Sequence, residues 1–365
     1  MRRILITLIV CFYILPTFAY TVDITTLGAK GDGITDNTAF IQKAIDDCSA
    51  HKGGTVEIPS GHFLTRTLFL KSNVNLHLHF GAELLGSIDL DSYHKVFPEL
   101  KGKESPALIF ARGVANIAIT GSGTINGQGA HQNFQHGNDS KGGPRRPKII
   151  YFIGCNNVRV QDVTLRNSAY WTQDYEKCNG VIVRGVKVYS HANWNNDGLD
   201  IDSRNVVVSD CYIDCDDDAL CLKSDTDTPC ENVTVTNCVL KSNCNAIKFG
   251  TSSYSGFKNV TISNCTIDRA SEDHIRQWYK NYPWIGTKHK TVVAGIALES
   301  VDGGIIENVS ISDIAMQGVQ TPIFVRLGDR KRTFSKQMSR INDVMISRII
   351  ARSEGKIACS ITGVP

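Results

Sequence analysis

Glu231–Leu240 reads ENVTVTNCVL, and the same phrase returns as KNVTISNCTI at Lys258–Ile267. Shorter versions of this phrase place a valine after Asn or Gly at six positions, namely Val158, Val181, Val206, Val233, Val260 and Val309. The steps between these valines are 23, 25, 27, 27 and 49 residues, and we interpret the last step as close to two repeats. Self-similarity at a fixed period of this size indicates a repeat architecture, in which each unit buries its apolar face against the next.

Each repeat contains short strands bounded by clusters of Asn, Gly and Asp, as in VRVQDVTL, VVVSDCYI and VTISNCTI. Strands of this length cannot bury a face alone, so we expect them to form coils stacked about 4.8 Å apart. The sequence therefore predicts an all-β fold, a single-domain right-handed parallel β-helix that occupies residues 20–365.

Cysteines follow two columns of the repeat. In the first column a cysteine stands three positions before the repeated valine, at Cys155, Cys178 and Cys230. In the second column it stands five positions after the valine, at Cys211, Cys238 and Cys265. Because buried cysteine behaves as a small hydrophobe, we interpret the columns as core ladders of free thiols. Disulfides and a metal site are the alternatives. The asparagines that precede the valines at 158, 233, 260 and 309 are interpreted as a ladder of turns.

The N-terminal part of the chain shows a different period. Thr35–His51, TDNTAFIQKAIDDCSAH, begins with a capping residue, Thr35 or Asp36, and carries apolar residues at helical spacing, namely Phe40, Ile41, Ala44 and Ile45. This pattern predicts a short amphipathic helix that covers the open end of the β-helix core.

The first twenty residues, MRRILITLIVCFYILPTFAY, combine two arginines, a short apolar run and a small residue, which is typical of a secretory signal. We assign residues 1–19 to this signal and expect export to the periplasm or the extracellular space; a membrane anchor is the alternative. Without Arg2 and Arg3 the chain keeps 37 of its 39 basic residues against 36 acidic ones. This balance argues against nucleic acid or an anionic membrane as a partner, and we expect a monomer without a membrane span.

Two acidic clusters fall in consecutive repeats, NWNNDGLDIDS at Asn193–Ser203 and DCDDDALCLKSD at Asp214–Asp225. Asp197 and Asp217 are 20 residues apart, roughly one coil, so stacking makes them neighbours on the outside of the helix. Neighbouring carboxylates repel, which raises the pKa of at least one of them and keeps a proton on it, as a general acid requires. A partner that stays ionised can activate water, and two such groups are the minimum set for glycoside hydrolysis.

Other interpretations of the second cluster are open. Asp214, Asp216, Asp218 and Asp225 match ligand positions of a calcium-binding loop, although Ala219 stands where that loop requires glycine. Asp214 and Asp216 are also typical turn residues. A solvated acidic face is the third alternative.

The acidic motifs also carry a family resemblance. Asn195–Asp200, NNDGLD, resembles the Asn-Thr-Asp-Gly signature of the polygalacturonase-like glycoside hydrolases of family 28, and Asp217–Ser224, DDALCLKS, resembles their Asp-Asp-Cys-Ile-Ala-Ile-Lys-Ser segment. Asn167–Val188 and the opening GAKGDGITDNTAFIQKAID are similar to the same family, so the resemblance covers nearly the whole mature chain. It implies a pectin-lyase-like right-handed β-helix and hydrolysis that inverts the anomeric centre. It also implies that Asp217 is the general acid, that Asp197 and Asp218 hold and deprotonate the water, and that no cofactor or metal takes part.

The chain departs from the family pattern at two places. Asn245 stands where the family has the histidine of Gly-His-Gly, and Ala297 and Glu299 in GIALE replace the two cations of Arg-Ile-Lys. An acid at Glu299 repels a galacturonate carboxylate, which makes plain polygalacturonan an unfavourable substrate and favours rhamnogalacturonan-type cleavage or action on pectic oligosaccharides. For a uronate elsewhere in the cleft, we assign substrate binding to Asn245 and to three alternative cations, Lys223, Lys248 and Arg326. Lys248 could instead only pair with the aspartates.

Two polar segments interrupt the repeat, Ala130–Lys148 and Ser271–Lys290. Such insertions become loops on one face of a solenoid, commonly the binding face. The second carries Trp278, Tyr279 and Trp284, which could stack on sugar rings or pack the loop itself.

The sequence thus predicts an exported inverting glycoside hydrolase that cleaves pectic polysaccharide of the galacturonan or rhamnogalacturonan type, or its oligosaccharides. A polysaccharide lyase on the same scaffold and a non-catalytic carbohydrate-binding β-helix or adhesin are the alternatives. The family normally continues for further coils, so we expect that the chain is truncated at its C-terminus.

Overall fold

The computed structural model of the protein describes residues 20–95, 106–134, 146–272, 292–331, 337–353 and 359–363. The expected signal segment and the aromatic residues Trp278, Tyr279 and Trp284 lie outside these ranges.

The described chain forms short strands with two α-helices and two single-turn 3₁₀ segments. The helical elements are α1 (Thr38–Ala50), α2 (Leu90–Lys95) and the 3₁₀ segments Ile24–Leu27 and Gln132–Phe134. The first strands are β1 (Thr21–Asp23), β2 (Asp32–Asp36), β3 (Gly54–Ile58), β4 (Gly61–Thr65), β5 (Leu68–Phe69), β6 (Val74–Leu78), β7 (Ala82–Gly86), β8 (Ala107–Arg112), β9 (Ala115–Gly121), β10 (Thr124–Asn126), β11 (Lys148–Ile153), β12 (Asn156–Gln161) and β13 (Thr164–Arg166). The later strands are β14 (Gln173–Arg184), β15 (Lys187–Ser190), β16 (Leu199–Ser209), β17 (Tyr212–Cys215), β18 (Leu220–Ser224), β19 (Cys230–Thr236), β20 (Val239–Ser242), β21 (Asn245–Ser253), β22 (Phe257–Arg269), β23 (Val292–Ser300), β24 (Ile305–Leu327), β25 (Arg340–Ser353) and β26 (Ser360–Thr362).

These strands form a right-handed parallel β-helix, as the repeat predicted. Each strand pairs in parallel with the strand one coil before it and the strand one coil after it, which gives three sheets along the solenoid. The first sheet stacks β1, β3, β6, β9, β12, β14, β16, β19, β22, β24 and β25. The second begins with β2, β4, β7, β10, β13, β15, β17 and β20. The third stacks β5, β8, β11, β14, β16, β18, β21, β23, β24 and β26. Its strands β16 and β18 directly follow Asp197 and the pair Asp217 and Asp218.

The repeated valines form one column inside the first sheet. Each pairs with the next in register, from Val158 through Val181, Val206, Val233 and Val260 to Val309, and each is at most 2% exposed. The interpretation of the 49-residue step as nearly two repeats is therefore wrong. Val260 lies directly against Val309, so this step is a single coil that carries the second insertion.

The cysteine columns are buried free thiols, as predicted: the described cysteines that line them form no disulfide. Cys211, Cys238 and Cys265 lie on successive coils in the core. In the other column Ser203 separates Cys178 from Cys230, and its hydroxyl accepts a hydrogen bond from the Cys178 amide at 2.9 Å.

The predicted asparagine ladder is present at the turn before the first sheet. Asn205, Asn232, Asn259 and Asn308 have φ between 52° and 57°, a left-handed conformation that Asn tolerates better than most residues. Each side-chain amide donates to the side-chain oxygen of the asparagine one coil earlier, at 2.7–3.0 Å. Asparagine thus allows the left-handed backbone of each turn, and its side-chain hydrogen bonds connect successive coils.

Helix α1 covers the first coils, as predicted. The predicted capping residue is wrong, because Asn37 and neither Thr35 nor Asp36 is the N-cap. The Asp36 carboxylate nevertheless accepts a hydrogen bond from the Thr38 amide, and Ile41, Ala44 and Ile45 are buried in the core. The Gln42 side chain accepts from the Phe69 amide at 2.9 Å and donates to the Phe69 carbonyl at 3.1 Å. Gln42 therefore replaces the strand that β5 lacks on its open side, which protects the edge of the third sheet.

We predict that Asn232→Ala destabilises the protein by about 1–2 kcal/mol, because alanine loses the ladder hydrogen bonds and is strained at a left-handed φ. Asn232→Gly is the matched control, since glycine accepts this φ but also lacks the amide. Thermal unfolding should give a lower Tm for the alanine variant than for the glycine variant. Equal Tm values for Asn232→Ala and the wild type would contradict the role of the ladder.

Candidate active site

The aspartates predicted to be catalytic lie immediately before strands of the third sheet. Asp197 precedes β16, and Asp217 and Asp218 precede β18. These strands stack in register, and the Gly198 amide donates to the Asp218 carbonyl at 2.9 Å. A Cβ at Gly198 would lie 2.3 Å from Ile213 Cγ2 and 2.7 Å from the Ala219 carbonyl oxygen. Only glycine lets the two coils approach this closely.

The stacking brings the two acidic clusters together, as predicted, but the strands pair at an offset of 21 residues, so Asp197 stacks on Asp218 and not on Asp217. An oxygen of Asp197 and one of Asp218 lie within 4.8 Å of each other, and the same holds for Asp217 and Asp218. The side chains lie deeper than the position on the outside of the helix that we expected, because Asp197, Asp217 and Asp218 are 3%, 5% and 3% exposed. The carboxylates therefore lie on the floor of the site.

Two lysines compensate this buried charge. Lys248 Nζ lies 2.8 Å from Asp218 Oδ2, and Lys223 Nζ lies 3.6 Å from Asp197 Oδ2 and 3.1 Å from Asp200 Oδ1. The contact to Asp200 is an ion pair by distance, but its angles do not make a regular hydrogen bond. The alternative in which Lys248 pairs with the aspartates is thus the observed arrangement.

Asn245 also belongs to this cluster. Its backbone amide and its side-chain amide both donate to Asp218 Oδ1, at 3.2 and 2.7 Å. Asn245 therefore orients the Asp218 carboxylate from the position where the resembled family has a histidine.

Arg326 lies apart from the cluster. It is exposed on β24, in register with Glu299 on β23, and β24 lies three strand spacings from β18, which carries Lys223. At strand spacing this corresponds to about 14 Å. Arg326 can therefore contact only a part of a ligand that lies well away from the aspartates.

The surroundings shift the pKa values of two carboxyl groups of the site, Asp218 and Asp200, in opposite directions. Burial raises the pKa of Asp218, but the ammonium groups of Lys248 and Lys223 and the hydrogen bonds from Lys248 and Asn245 outweigh it, so this pKa lies below its ordinary value. Burial raises the pKa of Asp200 well above its usual range; Lys223 opposes this effect, while the Asp197 and Asp174 carboxylates add to it. The site thus favours the ionised form of Asp218 and disfavours the ionised form of Asp200.

Sequence reasoning missed an aromatic and basic wall beside the cluster. Lys223 Nζ lies 4.2 Å from the ring centroid of Trp171, and Lys148 Nζ lies 4.6 Å from the same centroid and 3.7 Å from that of Tyr151. Lys148 also pairs with Asp174 at 2.5 Å. These residues line a cavity of about 250 Å³ that shares Lys223 with the carboxylate cluster. Side chains alternate between the two faces of a strand, so the sequence could have placed Tyr151 on β11 and Asp174 on β14 on the outward face.

The aspartates and two nearby cysteines converge closely enough to hold a metal ion, in the groups Asp197, Asp218, Cys221 and Asp217, Asp218, Cys244. Burial raises the pKa of both thiols well above the usual range, which disfavours the thiolate form that binds a metal. Lys223 and Lys248 already supply positive charge at the carboxylates. The donor set therefore does not fit a metal.

The calcium loop considered for the second cluster is not assembled among the described residues. Asp214 accepts from His191 Nε2 at 2.8 Å, and Asp216 accepts from Asn243 Nδ2 at 3.0 Å, so each has a partner of its own. The interpretation of Asp214 as a turn residue is wrong, because it lies within β17. Its buried carboxylate joins this coil to the previous one.

A family model described as glycosyl hydrolases family 28 matches residues 48–363. The chain belongs to glycosyl hydrolases family 28. The match spans strands β3 to β26 and includes every residue of the carboxylate cluster.

Curated relatives of this family 28 chain include a probable polygalacturonase of Vitis vinifera, 31% identical over 225 residues, which cover 57% of this chain and 45% of the relative. An exo-poly-alpha-D-galacturonosidase of Dickeya chrysanthemi is 30% identical over 250 residues, which cover 54% of this chain and 41% of the relative. The matches thus span less than half the length of these two relatives. Among solved structures, the family 28 exopolygalacturonase of Yersinia enterocolitica superposes with a TM-score of 0.75 at 24% identity, covering 95% of this chain and 68% of that one. This likeness confirms the fold.

We predict that Lys248→Met destabilises the protein by about 3 kcal/mol near neutral pH, because it leaves the buried Asp218 carboxylate without its partner. In the wild type the pKa of Asp218 is lowered, so its contribution to stability is present at neutral pH and is lost as pH falls through that pKa. In the variant burial raises the pKa of Asp218, so the defect should shrink as the pH falls and Asp218 takes up a proton. Chemical denaturation at pH 7 and pH 4 measures this difference.

Lys248→Met combined with Asp218→Asn is the matched control, since it removes both charges and should recover part of the lost stability at pH 7. A defect of equal size at both pH values would contradict the assigned ion pair.

Proposed function

We propose that this chain is an inverting glycoside hydrolase acting on pectic polysaccharide or its oligosaccharides. The observation that carries the proposal is the carboxylate cluster within a family 28 scaffold. Asp217 protonates the leaving oxygen, and Asp197 and Asp218 hold and deprotonate the attacking water. The lowered pKa of Asp218 supports its role as the ionised partner.

The spacing of the carboxylates bears on the stereochemistry. Asp217 and Asp218 approach within 4.8 Å, whereas the acid and base of most inverting enzymes are about 6.5–9.5 Å apart. Three carboxyl groups are present instead of two, so the water can lie between Asp197 and Asp218 while Asp217 faces the leaving group. Inversion is inferred from the family resemblance, and the anomer released first tests it.

The surface next to Lys248 supports a neutral sugar on one side of the cleaved bond. Lys248, Ala297 and Phe324 stand in register on β21, β23 and β24, so a buried methyl group and a half-buried ring follow the cation. Burial raises the pKa of the neighbouring Glu299, and Asp218 adds to this effect, while Lys248, Arg326 and Arg330 oppose it. A galacturonate placed here would meet the carboxyl group of Glu299, whereas a neutral sugar of the rhamnogalacturonan type would not be repelled.

Lys223 and Lys248 are both paired with aspartates, which limits them as binding groups for a uronate. Among the candidate cations, Arg326 is the exposed one, and it makes no ion pair with a described residue. We therefore place a substrate carboxylate, when one is present, near Arg326. From the signal-like residues 1–19 we also propose that the enzyme is exported. Among the described residues, no helix is long and apolar enough to cross a bilayer.

We predict that Asp217→Asn lowers kcat on a rhamnogalacturonan substrate by about 10²–10⁴-fold, because it removes the proton donor while preserving shape. Reducing-end release measures the rate, and NMR of the first product identifies the anomer. Asp216→Asn is a control, since Asp216 faces Asn243 and not the cluster. An unsaturated product that absorbs in the ultraviolet would instead identify a lyase, and release by neither protein on any pectic substrate would favour a binding module.

We predict that Glu299→Lys raises the ratio of kcat/KM on polygalacturonan to that on rhamnogalacturonan by at least about tenfold, since a cation replaces a repelling acid. Glu299→Gln removes the charge without adding one and should give a smaller shift in the same direction. An unchanged ratio in both variants would show that Glu299 does not contact the substrate.

A further inference from the structure

A group of metal-binding side chains lies on the outer face of the first sheet, several coils before the carboxylate cluster. Glu57 on β3 is in register with His77 on β6, and His79 follows two residues later on the same side of the chain. One nitrogen or oxygen of each residue lies within 4.8 Å of those of the other two. This group takes no part in the proposed hydrolysis, because it lies on a different sheet.

A hydrogen-bonded chain fixes the protonation of His77. The Thr120 hydroxyl donates to Asn75 Oδ1 at 2.9 Å, so its oxygen is left to accept a hydrogen bond. His77 Nδ1 lies 2.8 Å from that oxygen and must be the donor. Nδ1 therefore carries the proton, and Nε2 presents a lone pair, which is the form of imidazole that binds a metal. Thr120 and Asn75 thus hold the His77 ring and its tautomer, as the hydrogen-bond partners of metal-binding histidines do.

His79 and Glu57 provide the other two donors. His79 Nε2 lies 2.6 Å from Glu57 Oε2, and the two imidazole rings are 5.1 Å apart in an edge-to-face arrangement. The side chains are 51% exposed for His79 and 23% exposed for Glu57, so an ion reaches them directly from solvent. A bound ion replaces the proton between His79 and Glu57, and that proton leaves to solvent.

We propose that Glu57, His77 and His79 bind a divalent transition-metal ion, for which Zn²⁺ is the best-fitting probe. Two imidazoles and one carboxylate form a three-ligand zinc set, and water completes the coordination. The ligands come from two successive coils, and Thr120 on β9 connects a third. The ion therefore clamps the coils next to α1, and its effect is on stability and not on the chemistry at Asp217.

Calorimetric titration of tag-free, metal-stripped protein with Zn²⁺ tests the proposal, together with the Tm at each metal concentration. We expect one saturable site and a Tm that rises by several degrees. His77→Ala and His79→Ala should each abolish both effects and leave hydrolysis unchanged. Thr120→Val keeps all three ligands but removes the outer-shell partner, so it should weaken binding by about 10–100-fold.

His62→Ala is the matched control. His62 Nδ1 lies 2.7 Å from Glu83 Oε2, so this pair reproduces the histidine–carboxylate contact without a second imidazole. The variant should bind Zn²⁺ as the wild type does. Absence of saturable binding to the wild type, or equal binding by His77→Ala, would overturn the proposal.

Discussion

The spacing between parallel strands is the constraint on which the whole molecule depends. Equivalent residues of successive coils are held about 4.8 Å apart, so each side chain must be compatible with its counterpart one coil away. Apolar side chains meet this condition easily, as the valine column shows. Asparagines meet it because one amide carries both a donor and an acceptor, and thiols meet it because they are small and weakly polar.

Carboxylates do not meet this condition without help, and this explains the composition of the site. Asp197 and Asp218 are forced together by stacking, and each is buried, so the coils also supply cations. Lys223 and Lys248 come from the next strands of the same sheet and approach from the outward side. The site is thus a compensated cluster in which the charges are fixed before any ligand arrives, and such preorganisation is what electrostatic catalysis requires.

The sequence predicted those features that depend on register. The six valines predicted the direction of stacking, and the interval between the two acidic clusters predicted that they lie on adjacent coils. The 20-residue count was one residue short, because the strands pair at an offset of 21 residues and Asp197 therefore stacks on Asp218. Features that depend on side-chain direction were not predictable, such as the contact of Lys148 and Lys223 with Trp171. The group of Glu57, His77 and His79 escaped notice because the first coils lack the repeated phrase, so their register could not be read. Counting residues also failed between Val260 and Val309, where an insertion mimicked an additional coil.

The coil between Val260 and Val309 shows how such a scaffold can change its specificity. The paired strands on both sides of the insertion keep their register although 49 residues separate the two valines. Lengthening an already long excursion costs little, about 0.6 kcal/mol for each doubling of its length. Segments of different length and composition can therefore be exchanged at this place while the solenoid stays intact, and a family built in this way can diversify its ligands by recombination of loops.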